Sequence, residues 1–337
     1  MGQILVTGAT GNVGREVMRE LAARGVDVRA AVGGGGATAD DADAARLPAG
    51  AAEAVRFDFT DPGTYAAAFD GVDRLFLMRP PHISNIKRDM RPAIEYAVAH
   101  GVRHVVFLSL LGAERNPILP HTKIEKLLMA CGVNWTMLRC GFFMQNLNTT
   151  HLADIREHDD LFIPAGRGKT SFIDVRDIGA VAARILIETG EALSPTLSWG
   201  EREQAALSPT LSRGEREPES PSLREGLGEG AGHAGKAYPL TGSEALDYGE
   251  VAAIMSEELG RPITYSDPSP RAFARRLRAR GYPSGFINVT NVIYLTTRLG
   301  MAAAVHPDAA RLLGRPPITL RQYVRDYATE FKNGSGD

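Results

Sequence analysis

The sequence predicts an α/β fold: a doubly wound parallel sheet followed by a smaller, mostly helical C-terminal lobe. Three observations lead there. Short β-branched runs alternate with helical patterns through the first half of the chain. The first of these runs meets three evenly spaced glycines just before its helix begins. From about residue 238 the apolar pattern becomes almost wholly helical. Strands joined by crossover helices pair in parallel, and such sheets bind ligands at the C-terminal ends of their strands.

Taken in order, Ile4, Leu5 and Val6 form an uninterrupted apolar run, the pattern of a strand buried on both faces. From Val13 the period changes to helical, with Val17 and Leu21 on the same face and Arg15, Glu16, Arg19 and Glu20 elsewhere. Gly8, Gly11 and Gly14 therefore lie at a strand-to-helix turn, which aims backbone N–H groups and the positive end of a helix dipole at one point. Glycine suits a tight turn, a close pyrophosphate and close helix–strand packing. A strand before the triplet and a helix after it make this a dinucleotide-binding signature. Further strands are predicted at 28–32, 55–57, 75–78, 104–109 and 135–138. Asp61-Pro62 is expected to start a helix that runs through Phe69, with the aspartate as cap. Helices are also expected around Ile94, Ala97 and Val98, ending at Gly101, and around Ile124, Leu127 and Leu128.

Composition removes several function classes. The 337 residues carry 38 Lys and Arg against 40 Asp and Glu, a net charge of -2, so nothing marks a nucleic-acid or anionic-membrane partner. Cys131 and Cys140 are too few for a disulfide framework and lack metal-ligand spacing, so no metal is expected and both read as reduced thiols of a cytoplasmic protein. No apolar run has the length of a membrane span, and the first residues already belong to a strand, not to a signal peptide. A monomer or homodimer is expected.

The chain resembles the NmrA-like, atypical short-chain dehydrogenase/reductases, including type-2 NAD(P)H:quinone oxidoreductases. The segments that carry the resemblance are TGATGNVG (7–14), DFTDPGTYAAAFDGVDRLFLMRPP (58–81), VRHVVFLSLLGA (102–113), HTKIEKLL (121–128), WTMLRCGFFMQN (135–146), SFIDVRDIGAVAARIL (171–186), YPLTGSEALDYGEVAAIMSEELG (238–260) and LLGRPPITLRQYVRDYA (312–328). The resemblance implies a Rossmann-like sheet, with Gly8, Thr10, Gly11, Asn12, Val13 and Gly14 as the pyrophosphate loop. It puts Asp58 and Phe59 beside the adenine, and Met78, Arg79 and Pro80 along the ribose and nicotinamide. Ser109 and Leu110 follow the fifth strand, where related dehydrogenases carry a catalytic-site serine.

Two departures from the family pattern matter. The Tyr-x-x-x-Lys pair that protonates a carbonyl substrate is absent, and its region reads HTKIEKLL. His121 sits where some relatives keep a lysine, and it is either a proton donor to a reduced oxygen or a helix cap or ribose contact. Strand two runs into Gly33-Gly34-Gly35-Gly36, with neither the arginine expected for NADP nor the acid expected for NAD. With no carboxylate to repel a 2′-phosphate, NADP is favoured and NAD stays open.

Phe142 and Phe143 leave the sixth strand and are candidates to stack on a flat substrate, or else are core between the lobes. Phe172-Ile173-Asp174 reads as a short strand and Asp177 as a carboxylate at a helix start, both structural. LSPTLSWGERE (193–203) recurs as LSPTLSRGERE (207–217) inside a stretch rich in Ser, Pro, Gly and charge. Residues 191–231 therefore read as an inserted disordered loop that separates a 1–190 dinucleotide-binding domain from a 232–332 substrate-side lobe packed with 140–170. The expected function is reduction of a small quinone-like or aromatic acceptor by NAD(P)H. The alternative is a regulator that senses the NAD(P)H/NAD(P) ratio without turnover.

Overall fold

The computed structural model describes residues 2–33, 53–192 and 232–332. The predicted repeat loop, apart from Glu191 and Ala192, lies outside the described residues, as do Gly34, Gly35 and Gly36.

β1 (Gln3–Val6) leads to α1 (Asn12–Ala23) and β2 (Val28–Val32). β3 (Glu53–Arg56), α2 (Tyr65–Phe69) and β4 (Val72–Leu77) follow, then α3 (Ile86–Asp89), α4 (Arg91–Ala99) and β5 (His104–Leu110). α5 (Pro120–Ala130) returns the chain to β6 (Asn134–Cys140) and the two-residue β7 (Phe142–Phe143). α6 (Leu152–His158), β8 (Asp160–Leu161) and β9 (Thr170–Ile173) precede the long α7 (Val175–Ala192). The rest comprises β10 (Lys236–Leu240), β11 (Ala245–Leu246), α8 (Tyr248–Leu259), β12 (Thr264–Tyr265), α9 (Pro270–Ala279), α10 (Ser284–Arg298), α11 (Asp308–Leu313), α12 (Leu320–Asp326) and α13 (Ala328–Phe331).

Seven strands pair in parallel in the order β10-β6-β5-β4-β1-β2-β3. The order reverses between β1 and β4, and a crevice opens at their C-terminal ends. Alternation along each strand splits the apolar residues between two layers. Ile4, Val6, Ala30, Val32, Val106 and Leu138 pack under α1 and α7. Leu5, Ala31, Leu75, Val105, Phe107 and Met137 pack against the helices of the other face. A third core, remote in sequence from the first strands, joins Met144, Ile155 and Phe172 to Tyr248, Phe273, Tyr294 and Phe331.

β4 begins three residues earlier than its apolar pattern predicts. The reason is Arg74, 1% exposed, whose guanidinium donates to the carbonyls of Gly2 and Leu186 at 2.7 Å each and to Asp73 Oδ1 at 3.0 Å. Tertiary partners thus make a charged residue a strand residue. The seventh strand is a second difference, since 236–240 falls at the start of the region expected to be mostly helical. Pro239 lies within it, which is tolerable because β10 is the edge of the sheet. Its place there means that a domain boundary at residue 232 divides the sheet. As expected, Asp61 caps its helix by accepting from the Gly63 amide at 3.0 Å, although the first turn is 3₁₀.

Two clamps matter for the site. Asp177, fully buried in the first turn of α7, accepts from the Ile318 amide at 2.7 Å and pairs with Arg315 at 2.8 Å. Arg176 bridges the buried Asp174 and Asp326 of α12. The start of α7 is thereby fixed to the C-terminal helices. At its other end, Glu188 Oε2 meets His233 Nε2 at 2.8 Å, which brings together the two sides of the interval 193–231. Among the described residues no helix is long and apolar enough to cross a membrane.

Candidate functional site

Because all seven strands run the same way, every residue singled out by the sequence falls at one edge of the sheet or on α5 beside it. Along that edge come Asp58 and Phe59 after β3, the glycine turn after β1, and Met78 and Arg79 after β4. Ser109 and Leu110 end β5, and Phe142 and Phe143 follow β6. Neighbouring strands are about 4.8 Å apart, so the series forms a continuous strip.

The glycine turn is built by close approach. Gly8 has φ +64°, and its carbonyl accepts from the Gly11 amide at 3.0 Å. A Cβ on Gly14 would lie 2.1 Å from that carbonyl oxygen, so only glycine lets α1 start against the end of β1. A Cβ on Gly11 would meet Gly8 O at 3.3 Å and the Met78 methyl at 3.6 Å, so a side chain there would extend from the wall of the turn into the space above it. α1 starts at Gly11 with no side-chain cap and no acid in its first turn. The amides of Asn12, Val13 and Gly14 are therefore donors that the helix does not satisfy itself, under the positive end of its dipole. Val13 is buried beneath them, while Asn12 is exposed and Thr10 half-buried. A cradle that a single side chain would fill, at an uncapped helix start, fits a dinucleotide pyrophosphate.

Thr7, which the sequence reading passed over, ties the two strands of the switch point together. Its hydroxyl donates to Phe76 O at 3.0 Å and accepts from the Met78 amide at 2.8 Å. Met78 in turn lies over the turn, where a Cβ on Gly8 would fall 2.0 Å from its methyl. Its position just after the glycine-preceding strand, in TGATG, was the available signal.

At the β3 end, Asp58 Oδ1 accepts from the Thr60 amide and hydroxyl, both at 2.8 Å. Phe59 is 6% exposed and packs edge-on to Phe57 at 4.8 Å. That region is closed by its own contacts. Arg79 folds back to donate to the carbonyls of Pro80, Pro81 and Ile83 at 2.6–3.0 Å, leaving Nε buried without a partner.

Ser109 and Glu125 form a pair that the sequence did not announce. Ser109, 1% exposed, donates to Glu125 Oε1 at 2.6 Å. Arg139 grips the same carboxylate with two nitrogens, at 3.1 and 2.7 Å. The only trace in the sequence is Glu125 one helical turn beyond His121. His121 itself lies in the first turn of α5, its ring 6.0 Å from Phe107. Burial, with the charge of Arg79 second, pulls its pKa down to about 3, so at neutral pH it is an uncharged imidazole. Leu110 remains exposed at the edge.

Phe142 and Phe143, as consecutive strand residues, point in opposite directions. Phe142 packs on Phe172 and Tyr294 at 6.5 and 6.4 Å, in the third core. Phe143 packs against the α1–α7 layer. The two rings are therefore not brought together on one ligand, and both take part in joining the sheet edge to the C-terminal elements.

Comparison with known proteins places this geometry. Residues 8–189 match the model of the NAD(P)H-binding family. The chain is similar to an NAD(P)H azoreductase of Xenophilus azovorans, 29% identical over 333 residues that cover 97% of this chain and 99% of that protein. It is also similar to quinone oxidoreductase 2 of Escherichia coli, 26% identical over 324 residues, 95% of this chain and 97% of that one. The crystal structure of that E. coli enzyme with NADPH superposes with a TM-score of 0.71 at 25% identity, covering 96% of this chain and 99% of the other. The negative transcriptional regulator NmrA, solved with NADP, is 17% identical with a TM-score of 0.64, which shows a shared fold alone. With half of its length inside the family model and near-complete coverage of these enzymes, the chain belongs to the NAD(P)H-binding family and is an NAD(P)H-dependent reductase.

Proposed function

We propose that this reductase passes hydride from NADPH to a flat conjugated acceptor, a quinone or a comparably activated aromatic compound, at the C-terminal ends of β4, β5 and β6. When bound, the nicotinamide supplies the hydride. The protein's part is to hold the dinucleotide at Gly8–Gly14, to direct one end of it past Met78, and to keep water from the acceptor with the elements around Phe142. That cover comes from a substrate-side lobe made of 144–172 with the helices from Tyr248 onward.

The observation that carries the acceptor class is the state of the protons at this edge. Ser109 commits its hydroxyl proton to the Glu125 carboxylate, which Arg139 holds in place. His121 is uncharged at neutral pH and so is a hydrogen-bonding group, not an imidazolium acid. A site of this kind favours an acceptor that spreads the incoming negative charge over its own π system and takes its proton from solvent. An isolated ketone, which needs an acid at the moment of hydride transfer, is disfavoured. The quinone and azo compounds named for the two enzyme relatives belong to the favoured class.

The test is NADPH consumption, followed by absorbance, with a panel of quinones, azo dyes and unactivated ketones. Turnover with the first two groups and none with the third is expected. Ketone reduction at a comparable rate would overturn the acceptor class. Binding of both cofactor forms with no acceptor-dependent oxidation would instead support a sensor.

A further inference from the structure

We propose that Arg15 and Arg56 together recognise the 2′-phosphate of NADP, replacing the arginine that this chain lacks just after β2. The inference rests on the cofactor placement above and adds the residues that select between the two dinucleotides.

The two side chains come to one place by independent routes. α1 buries Val13, Gly14, Val17, Met18 and Leu21 against the sheet. On one flank its Glu16 abuts Gly179 of α7, where a Cβ would fall 2.6 Å from the Glu16 Cβ. α7 covers the β4 and β5 side of the sheet. Arg15 precedes Glu16 and so turns about 100° away from it, onto the flank that faces β2. It lies in the first turn of α1, level with the C-terminal strand ends, and its guanidinium reaches back to the Thr10 carbonyl at 3.3 Å.

Arg56 arrives from the sheet. It ends β3 in register with Val32, the last residue of β2, and paired residues of parallel strands share a face. Val32 packs in the layer under α1, whereas Ala31 and Val55 belong to the opposite layer. Arg56 therefore stands on the α1 face, beside the end of β2. In a sheet of this order, the adenosine ribose of a dinucleotide sits at the end of that strand. One cation comes from the helix and one from the strand, both on the α1 side of the sheet and near its C-terminal edge.

Among the described residues neither charge is neutralised by an acid. Both arginines are exposed, and neither has a carboxylate partner among the described residues. The other two arginines of α1 and its end, Arg19 and Arg24, pair with Glu16 and Glu20. The carboxylate nearest to Arg56 in sequence, Asp58, is turned to Thr60. Arg15 also sits at the end of a helix where a cation is electrostatically disfavoured, so an anion is what its position calls for. A phosphate monoester fits, because the guanidinium fork bonds phosphate oxygens in pairs. Arg79 is a poor alternative, since it is on the β4 side and one end of its guanidinium is folded back onto the carbonyls of Pro80, Pro81 and Ile83.

The experiment measures binding, not turnover. Full-length wild type, Arg15→Gln, Arg56→Gln and the double variant are titrated with NADPH and NADH, and with adenosine 2′,5′-bisphosphate against adenosine 5′-monophosphate. Wild type is expected to prefer each 2′-phosphorylated member. Each single variant should weaken NADPH by about tenfold or more, the range of a charge-assisted hydrogen bond, and the double variant should bind both members of a pair equally. NADH and the monophosphate should change little throughout. A preference that survives in the double variant, or an equal loss for both members, overturns the proposal. So does a wild type with no preference. Gly11→Leu separates this from failure of the cofactor placement. It should abolish NADPH and NADH binding together, and if it does not, the placement at the glycine turn is what fails.

Discussion

Two helices of the same length begin in opposite ways. α8, 12 residues long in the C-terminal part, starts with a complete capping box. Asp247 accepts from the Glu250 amide at 2.9 Å, and Glu250 returns the favour to the Asp247 amide at 2.8 Å. α1, also 12 residues, starts at a glycine with no cap and no acid in its first turn. A side-chain cap is worth about 1 kcal/mol over alanine and a few tenths over glycine, and α1 forgoes that smaller gain. The difference teaches that the amides of α8 are satisfied from within, whereas the start of α1 has no side-chain cap and is open to an anion from outside the helix.

The largest expected effect comes from closing the space on which the open helix start depends. Gly14→Val puts a branched side chain where even Cβ lies 2.1 Å from Gly8 O. A loss of about 3 kcal/mol or more is expected, seen as a collapse of the thermal midpoint together with NADPH binding. Near-native melting would mean that the turn can move and that the contrast with α8 is one of sequence only.

The next effect is expected in both regions. His104 in the sheet and His151 in the third core are 0% and 1% exposed, and burial lowers the pKa of each to about 4. Both are uncharged in the folded and unfolded chain above pH 6.5, so neither contributes there. Between pH 6.5 and 4 the unfolded chain takes up protons that the folded chain refuses. Each group then removes about 1.4 kcal/mol of stability per pH unit. Melting midpoints should fall steeply from pH 6.5 to 4.5, and replacing His151 by Gln should flatten that fall. A midpoint independent of pH over this range would contradict the buried, uncharged imidazoles.

Opening the closed helix is expected to have a smaller effect. Asp247→Ala should cost about 1 kcal/mol in denaturant unfolding and leave NADPH affinity unchanged. A smaller effect again is expected from joining Gly190 to Gly232. The Glu188–His233 contact already brings the two flanks together, so the deletion should preserve both melting temperature and cofactor binding. A marked drop in either would show that the removed residues pack against the rest.

How much of this was legible in the sequence follows from the range of the forces involved. The strand–glycine–helix turn and the parallel pairing could be read because they depend on local period and on chain connectivity. The cap at Asp61 was legible for the same reason. What could not be read depends on contacts between distant segments. The predicted strand at 75–78 left out Arg74, whose acceptors at Gly2 and Leu186 come from distant segments. β10 fell at the start of a region expected to be mostly helical, because edge position is a property of the finished sheet. Ser109 was found by its place after β5, but its commitment to Glu125 needed α5 and Arg139 to be set beside it. Phe142 and Phe143 could be read as a stacking surface or as core between the lobes, and strand geometry sends them into two cores.

The most direct measurement gives α1 the cap that α8 has. Gly11 has φ -81° and ψ 172°, a conformation open to any residue and the usual one for a capping aspartate. Gly11→Asp should therefore leave the ligand-free melting temperature close to that of wild type, since the few tenths of a kcal/mol gained at the cap oppose the cost of a Cβ 3.3 Å from Gly8 O. It should also place a carboxylate where the pyrophosphate belongs, and weaken NADPH by roughly 100-fold or more in a calorimetric titration. A folded, capped helix that no longer binds NADPH is the result predicted here. NADPH affinity equal to that of wild type in the same variant would contradict the central claim that the open start of α1 holds the cofactor.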